Sequence, residues 1–209
     1  MASPILIERE ERLVASPKRA AILEAAIAEF LASGFDGASM DRIAARAGVS
    51  KQTIYAHFSS KDGLVQAIAR ESLLLPEEDS LRYDPEAPLD AQLTRVAESV
   101  LRVLTSDHYV ALVRIIVGRE VRDPQGSGPV ASEARERFTA SIMEWVEAAV
   151  RDGRLEVEDP WLAVSQFLGS LQSAAFWPLV LGSRRLSPEK QDQLLTSSVA
   201  MFLDHYAKR

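Results

Sequence analysis

The 209-residue chain contains no cysteine. That excludes a disulfide framework and any thiolate metal site, and it fits a reducing, cytoplasmic setting. Long apolar runs are missing too: nothing approaches the roughly 20 residues that cross a bilayer. The opening MASPILIEREERLVASPKR has no apolar core followed by a small-residue cleavage site, so export is not expected. Histidine is scarce, with three in all. The pairs Asp107-His108 and Asp204-His205 are adjacent rather than at ligand spacing, and we expect neither a metal nor a cofactor. No glycine-rich phosphate loop, activated-serine elbow or pair of catalytic acids stands out, so no catalytic residue is assigned and an enzyme is not expected. Sustained apolar–polar alternation is also absent. Leu155-Glu156-Val157 is the one candidate for a strand, and it is too short.

What is present is helical patterning in an ordinary globular composition, 47% hydrophobic and 26% charged. Ser16-Pro17 is a serine N-cap followed by proline at the first helical position. Ile22, Leu23, Ala26, Ile27, Phe30 and Leu31 then form an apolar stripe, and Gly34 is a candidate C-cap. Ser39, Ser50 and Ser60 open three further helices, the last running to Leu75 before Pro76. Residues 76–88, PEEDSLRYDPEAP, read as a connector. Beyond it the pattern predicts helices at about 89–105, 107–122, 130–152, 160–183 and 188–207, with Pro178 kinking or ending the fourth of these. The expected fold is all-α with about nine helices. An N-terminal unit spans 1–75 and a larger helical unit 76–209.

The net charge of −6 argues against a nucleic-acid partner until it is localised. Residues 1–75 carry nine basic and nine acidic side chains, so all of the excess acid lies in 76–209. Within 39–61 there are four basic residues, Arg42, Arg46, Lys51 and Lys61, against one acid, Asp41. Positive charge held locally is what phosphate contact requires.

That stretch, SMDRIAARAGVSKQTIYAHFSSK, has the layout of a helix-turn-helix. Met40, Ile43, Ala44 and Ala47 face inward on the first helix, Gly48 makes the turn, and Ile54 and Phe58 anchor the second helix. The second helix then offers Lys51, Gln52, Thr53, Tyr55 and His57 to a major groove. Gln52 matches adenine bidentately, Lys51 reaches guanine or phosphate, and the Thr53 methyl or hydroxyl meets thymine or phosphate. Tyr55, His57 and Lys61 are placed for the DNA backbone, with Ser39 and Arg42 on the far side. Ser50 caps the helix. Arg46 reads as a solvated charge. The competing readings are a helical small-molecule binding protein without DNA function, supported only by the acidic balance, and an all-α enzyme, which lacks a visible constellation.

Residues 48–64, GVSKQTIYAHFSSKDGL, closely resemble the signature of TetR-type, tetracycline-repressor-like, transcriptional regulators. The likeness extends back through AAILEAAIAEFLASGF and covers about residues 17–70. Gln52 stands where glycine is common in the family, which adds a polar contact, and Ala56 replaces a larger residue. The resemblance implies a homodimer on a palindromic, double-stranded operator, usually as a repressor, with a small-molecule effector in the C-terminal unit that changes the spacing of the two reading helices. Residues 110–183 also resemble the AefR-type regulatory domain, from Leu112-Val113-Arg114 to Gln166-Phe167-Leu168-Gly169.

In that C-terminal unit the candidate effector-pocket residues are His108, Tyr109, Arg114, Trp145, Phe167, Gln172 and Phe176. Candidate dimer-interface residues are Leu171, Trp177, Leu194, Leu195, Val199 and Phe202. The alternative for the apolar members of both sets is the core of the single chain.

Overall fold

The computed structural model describes residues 17–72, 81–121 and 130–208, with backbone only over 130–138. Ser16, Leu75, the first half of the connector and the predicted break at 123–129 lie outside the described residues. Among the described residues the chain forms nine helices: α1 Pro17–Gly37, α2 Met40–Ala47, α3 Lys51–His57, α4 Lys61–Ser72, α5 Leu89–Leu104, α6 Asp107–Glu120, α7 Val130–Arg151, α8 over 160–180 and α9 Pro188–Tyr206. The fold is all-α, as the helical patterning predicts. The segment Leu155-Glu156-Val157 makes only an isolated bridge: Leu155 pairs with Ala207, and the Glu156 N–H donates to Tyr206 O at 2.8 Å.

Two compact units result. One draws on Met1–Ile68 and Ile115–Gly126, the other on Ala69–Arg114 and Ser127–Arg209. The first is built on the spacing read from sequence. Ile22, Leu23, Ala26, Ile27 and Phe30 of α1 are buried with Met40, Ile43 and Ala44 of α2, Ile54 of α3, Phe58, and Leu64, Val65 and Ile68 of α4. Leu31 differs from its expected place on the stripe and is 45% exposed. It lies about 100° around the helix from Phe30, past the edge of the buried face. Gly34 adopts φ 71°, and the helix breaks there before a last turn to Gly37.

The second unit packs α5, α7, α8 and α9 around Val100, Leu101, Ile142, Trp145, Phe167, Leu171, Phe176, Val199 and Phe202. On α5 the buried positions Leu93, Val96, Ala97, Val100, Leu101 and Leu104 recur at helical spacing. Buried Gln92 ties down the preceding loop. Its amide accepts from Asp84 N–H at 2.8 Å and donates to the carbonyls of Asp84 and Ala87 at 2.8 and 2.9 Å.

Pro178 acts on α8 as a widening rather than an end. Proline has no N–H and its ring crowds the carbonyl four residues back. The chain accommodates it with a π turn over Gln172–Phe176, in which the Trp177 N–H reaches Gln172 O, and the helix resumes over Trp177–Val180. No helix among the described residues is long and apolar enough to cross a membrane.

Phe167 is 4% exposed, and its ring centroid lies 5.4 Å from that of Phe202. Phe167→Ala is expected to cost about 3–5 kcal/mol of stability, read as a lowered midpoint in urea titration of the second unit's near-ultraviolet signal.

Candidate nucleic-acid interface

Helices α2 and α3 owe their limits to short-range chemistry. Ser39 caps α2, its hydroxyl accepting from Asp41 N–H at 3.2 Å. Gly48 closes α2 in the left-handed region at φ 66°, its N–H directed to Ala44 and Ala45 carbonyls. Ser50 caps α3: its hydroxyl accepts from Thr53 N–H at 3.0 Å and lies 2.8 Å from Thr53 Oγ1. One face of α3 is pinned inward by Ile54, 0% exposed, followed by buried Phe58. The opposite face presents Lys51, Gln52, Tyr55, Ala56 and His57 to solvent, with Thr53 partly exposed. This is the shape and chemistry of a groove-reading helix.

The basic residues expected at phosphates are tied up unequally. The Arg42 Nε donates to Glu29 Oε1 at 2.6 Å, and Nη2 donates to Gly37 O at 2.6 Å and Ser33 Oγ at 3.4 Å. The same Glu29 oxygen accepts Ser39 N–H at 3.2 Å. Glu29 is only 4% exposed, and the Arg42 hydrogen bond holds its carboxyl below the usual range, against the opposing effect of burial. Arg42 is therefore a clamp between α1 and α2, and Ser39 a cap tied to the same carboxylate.

Lys61 is committed further. Its ammonium donates to the carbonyls of Phe35, Asp36 and Ala38 at 2.8, 3.1 and 3.2 Å, which uses all three of its protons. In the DNA-free protein Lys61, expected at a phosphate, caps the end of α1. Lys61 Nζ also lies 5.0 Å from the Phe35 ring centroid, while Arg119 Cζ stacks at 4.2 Å from the same centroid and its Nη1 pairs with Asp62 at 2.7 Å. Glu29, Ser33 and Arg119 carried no sequence signal. Glu29 fell on an apolar stripe, and Arg119 is distant in sequence.

Residues 22–68 match the model for bacterial regulatory proteins of the tetR family. Residues 91–208 match that for the C-terminal domain of AefR-like transcriptional repressors. The chain belongs to the TetR family.

This TetR-family regulator is 31% identical over 139 residues to the transcriptional repressor SCO4008 of Streptomyces coelicolor, covering 65% of this chain and 64% of that protein, a little under two thirds of its length. A TetR family transcriptional regulator from Pseudomonas syringae pv. tomato superimposes with a TM-score of 0.76 at 36% identity, covering 93% of this chain and 100% of the other. The flavonoid-responsive regulator FrrA superimposes at 0.70 with 30% identity, covering 92% and 98%. These relatives are regulators, not enzymes.

In the second unit of this TetR-family chain the candidate pocket residues are scattered. Trp145, Phe167 and Phe176 are buried in the core, and Tyr109 packs on Phe176 at 5.4 Å between ring centroids. His108 is exposed and Gln172 belongs to the π turn. Arg114 caps the end of α8, donating to Leu179 O at 2.6 Å and Val180 O at 3.0 Å. A separate open cavity of about 580 Å³ is lined by Glu98, Arg102, Thr105, Ser106, Asp107, Arg185, Gln191, Asp192 and Leu195, none of them among the candidate pocket residues.

Of the candidate interface residues, Leu171, Leu195, Val199 and Phe202 are at most 7% exposed within the single chain. They face inward on α8 and α9 and close this unit's own core, so that assignment is corrected. Leu194 is half-buried, and Trp177 is 44% exposed.

A group whose folded pKa is depressed adds stability that is present above its ordinary value and lost as pH falls through the folded value. For Glu29 the ordinary value is 4.5. Glu29→Gln is expected to melt below the parent near neutral pH, with the difference shrinking as the pH falls below about 4.5, in thermal denaturation followed across pH. Lys61→Met is expected to cost about 1.5–3 kcal/mol, the range for hydrogen bonds to a charged group, in the same assay.

Proposed function

We propose that this TetR-family regulator is a cytoplasmic repressor that binds a palindromic operator as a homodimer and responds to a small-molecule effector. The observation that carries the DNA reading is the outward face of α3, where Gln52, Tyr55 and His57 stand exposed on a helix whose underside is fixed by Ile54. Residues 1–75 form the DNA-binding domain in this reading, and residues 76–209 the regulatory one. Gln52 and Thr53 read bases, and Tyr55 and His57 meet the backbone. Lys61 serves by holding α1 and α4 together.

Dimerisation is supported by apolar side chains that the single chain leaves exposed on α8 and α9: Leu162 at 43%, Trp177 at 44% and Met201 at 60%. These replace the buried leucines as the proposed contact with a second copy about a two-fold axis. An effector within the second unit is supported by Trp145, whose indole N–H is buried with no hydrogen-bond partner among the described residues. An apolar molecule carrying one oxygen acceptor would satisfy it. FrrA, a relative by structure, is by name flavonoid-responsive.

A duplex enriched from a random pool by the purified protein tests this directly. Its sequence is expected to be palindromic. Gln52→Ala is expected to weaken binding to it by about 1–3 kcal/mol, the worth of a good bidentate base contact, in fluorescence anisotropy. Tyr55→Ala weakens enriched and random duplexes alike. Sedimentation is expected to show a dimer that Trp177→Glu converts to monomer. An enriched pool without symmetry, or a monomeric parent protein, would contradict the proposal.

A further inference from the structure

Lys51, the first residue of α3, does not project freely. Its Nζ lies 2.9 Å from Asp41 Oδ2 on α2, and the two side chains are 47% and 70% exposed. The contact joins the two helices of the helix-turn-helix on their solvent side, at the end of α3 that enters a groove first. Asp41 is the only acid within residues 39–61. Its pairing with the lysine favours the charged ammonium, so the two form a pair with no net charge.

We infer that Asp41 sets the DNA specificity of this protein by holding Lys51 off the phosphates. The inference rests on α3 being the helix that reads DNA. Affinity for DNA of any sequence grows with the number of phosphates neutralised, and each neutralised phosphate steepens the salt dependence by about 0.9 in log–log slope. Lys51 bound to Asp41 contributes nothing to that number, and the carboxylate beside it repels approaching phosphate. Base contacts from Gln52 and Thr53 use hydrogen bonds and methyl packing, which do not need this charge. Asp41 therefore lowers affinity for random DNA more than affinity for the cognate site. An exposed pair adds little to stability, so its value is in discrimination.

The test compares parent, Asp41→Asn, Lys51→Gln and the double variant. Each is titrated by anisotropy with a random-sequence duplex and with the duplex enriched by the parent, over a series of KCl concentrations. Asp41→Asn is expected to bind random DNA about five- to tenfold more tightly, with a salt slope steeper by about 0.9 and a reduced ratio of enriched to random affinity. Lys51→Gln alone is expected to leave the random-duplex slope unchanged, and in the double variant it removes the gain. An unchanged slope and ratio in a folded Asp41→Asn protein overturns the inference. So does a slope flattened by about 0.9 in Lys51→Gln alone, which would mean that Lys51 already grips a phosphate; this arm stands whether or not the aspartate variant folds. A parent protein that binds neither duplex would overturn the reading of α3 itself, a different outcome from either.

Discussion

Burial of Ile54 is the constraint on which the rest depends. A helix of seven residues, Lys51–His57, has no stability of its own in water. It exists because Ile54, 0% exposed, and Phe58, 5% exposed, are buried in the first unit's core, where Arg19 of α1 lies over the Phe58 ring at 5.5 Å from its centroid. Those two anchors also decide which residues face out, because side chains one and two places away from Ile54 are turned from the core. Orientation of the reading face is thus a by-product of hydrophobic packing. The polar clamps around it, Glu29 with Arg42 and Ser39 and Lys61 with three carbonyls, fix the junctions between helices that packing alone would leave free to slide.

Charge is arranged with the same economy. The basic stretch that points to DNA in the sequence spends Arg42 and Lys61 on internal carbonyls and a buried carboxylate, and Lys51 on an exposed aspartate. What faces outward on α3 is mostly hydrogen-bonding and aromatic chemistry. Under the proposed function, a helix so equipped relies more on base edges than on bulk electrostatics. That fits a protein whose overall charge is −6, since a strongly basic face would have to overcome an acidic remainder with no gain in discrimination.

Much of this was legible in the sequence because it follows from local rules. Ser39 and Ser50 cap helices where serine stands before an amphipathic run, and Gly48 takes the positive φ that its turn needs. The all-α class and the break between helices followed from the same signals. What escaped was non-local. The buried Glu29 looks like an error in an apolar stripe until Arg42 arrives from α2. Arg119 belongs to the first unit although it lies 57 positions from its partner Asp62. Leu171, Leu195, Val199 and Phe202 look like an interface on a helical wheel, but the same wheel serves a core. Only knowing which side α5 and α7 occupy separates the two. The π turn before Pro178 was visible as a kink but not in kind.

The proposed groove-reading role of α3 is tested most directly by titrating ¹⁵N-labelled protein with the enriched duplex and following backbone amide resonances. The expected result is that the largest shifts fall on residues 50–57, with residues of the second unit's core, such as Val100 and Phe167, little changed. Shifts that leave residues 50–57 unmoved while the protein is bound would show that another surface holds the DNA.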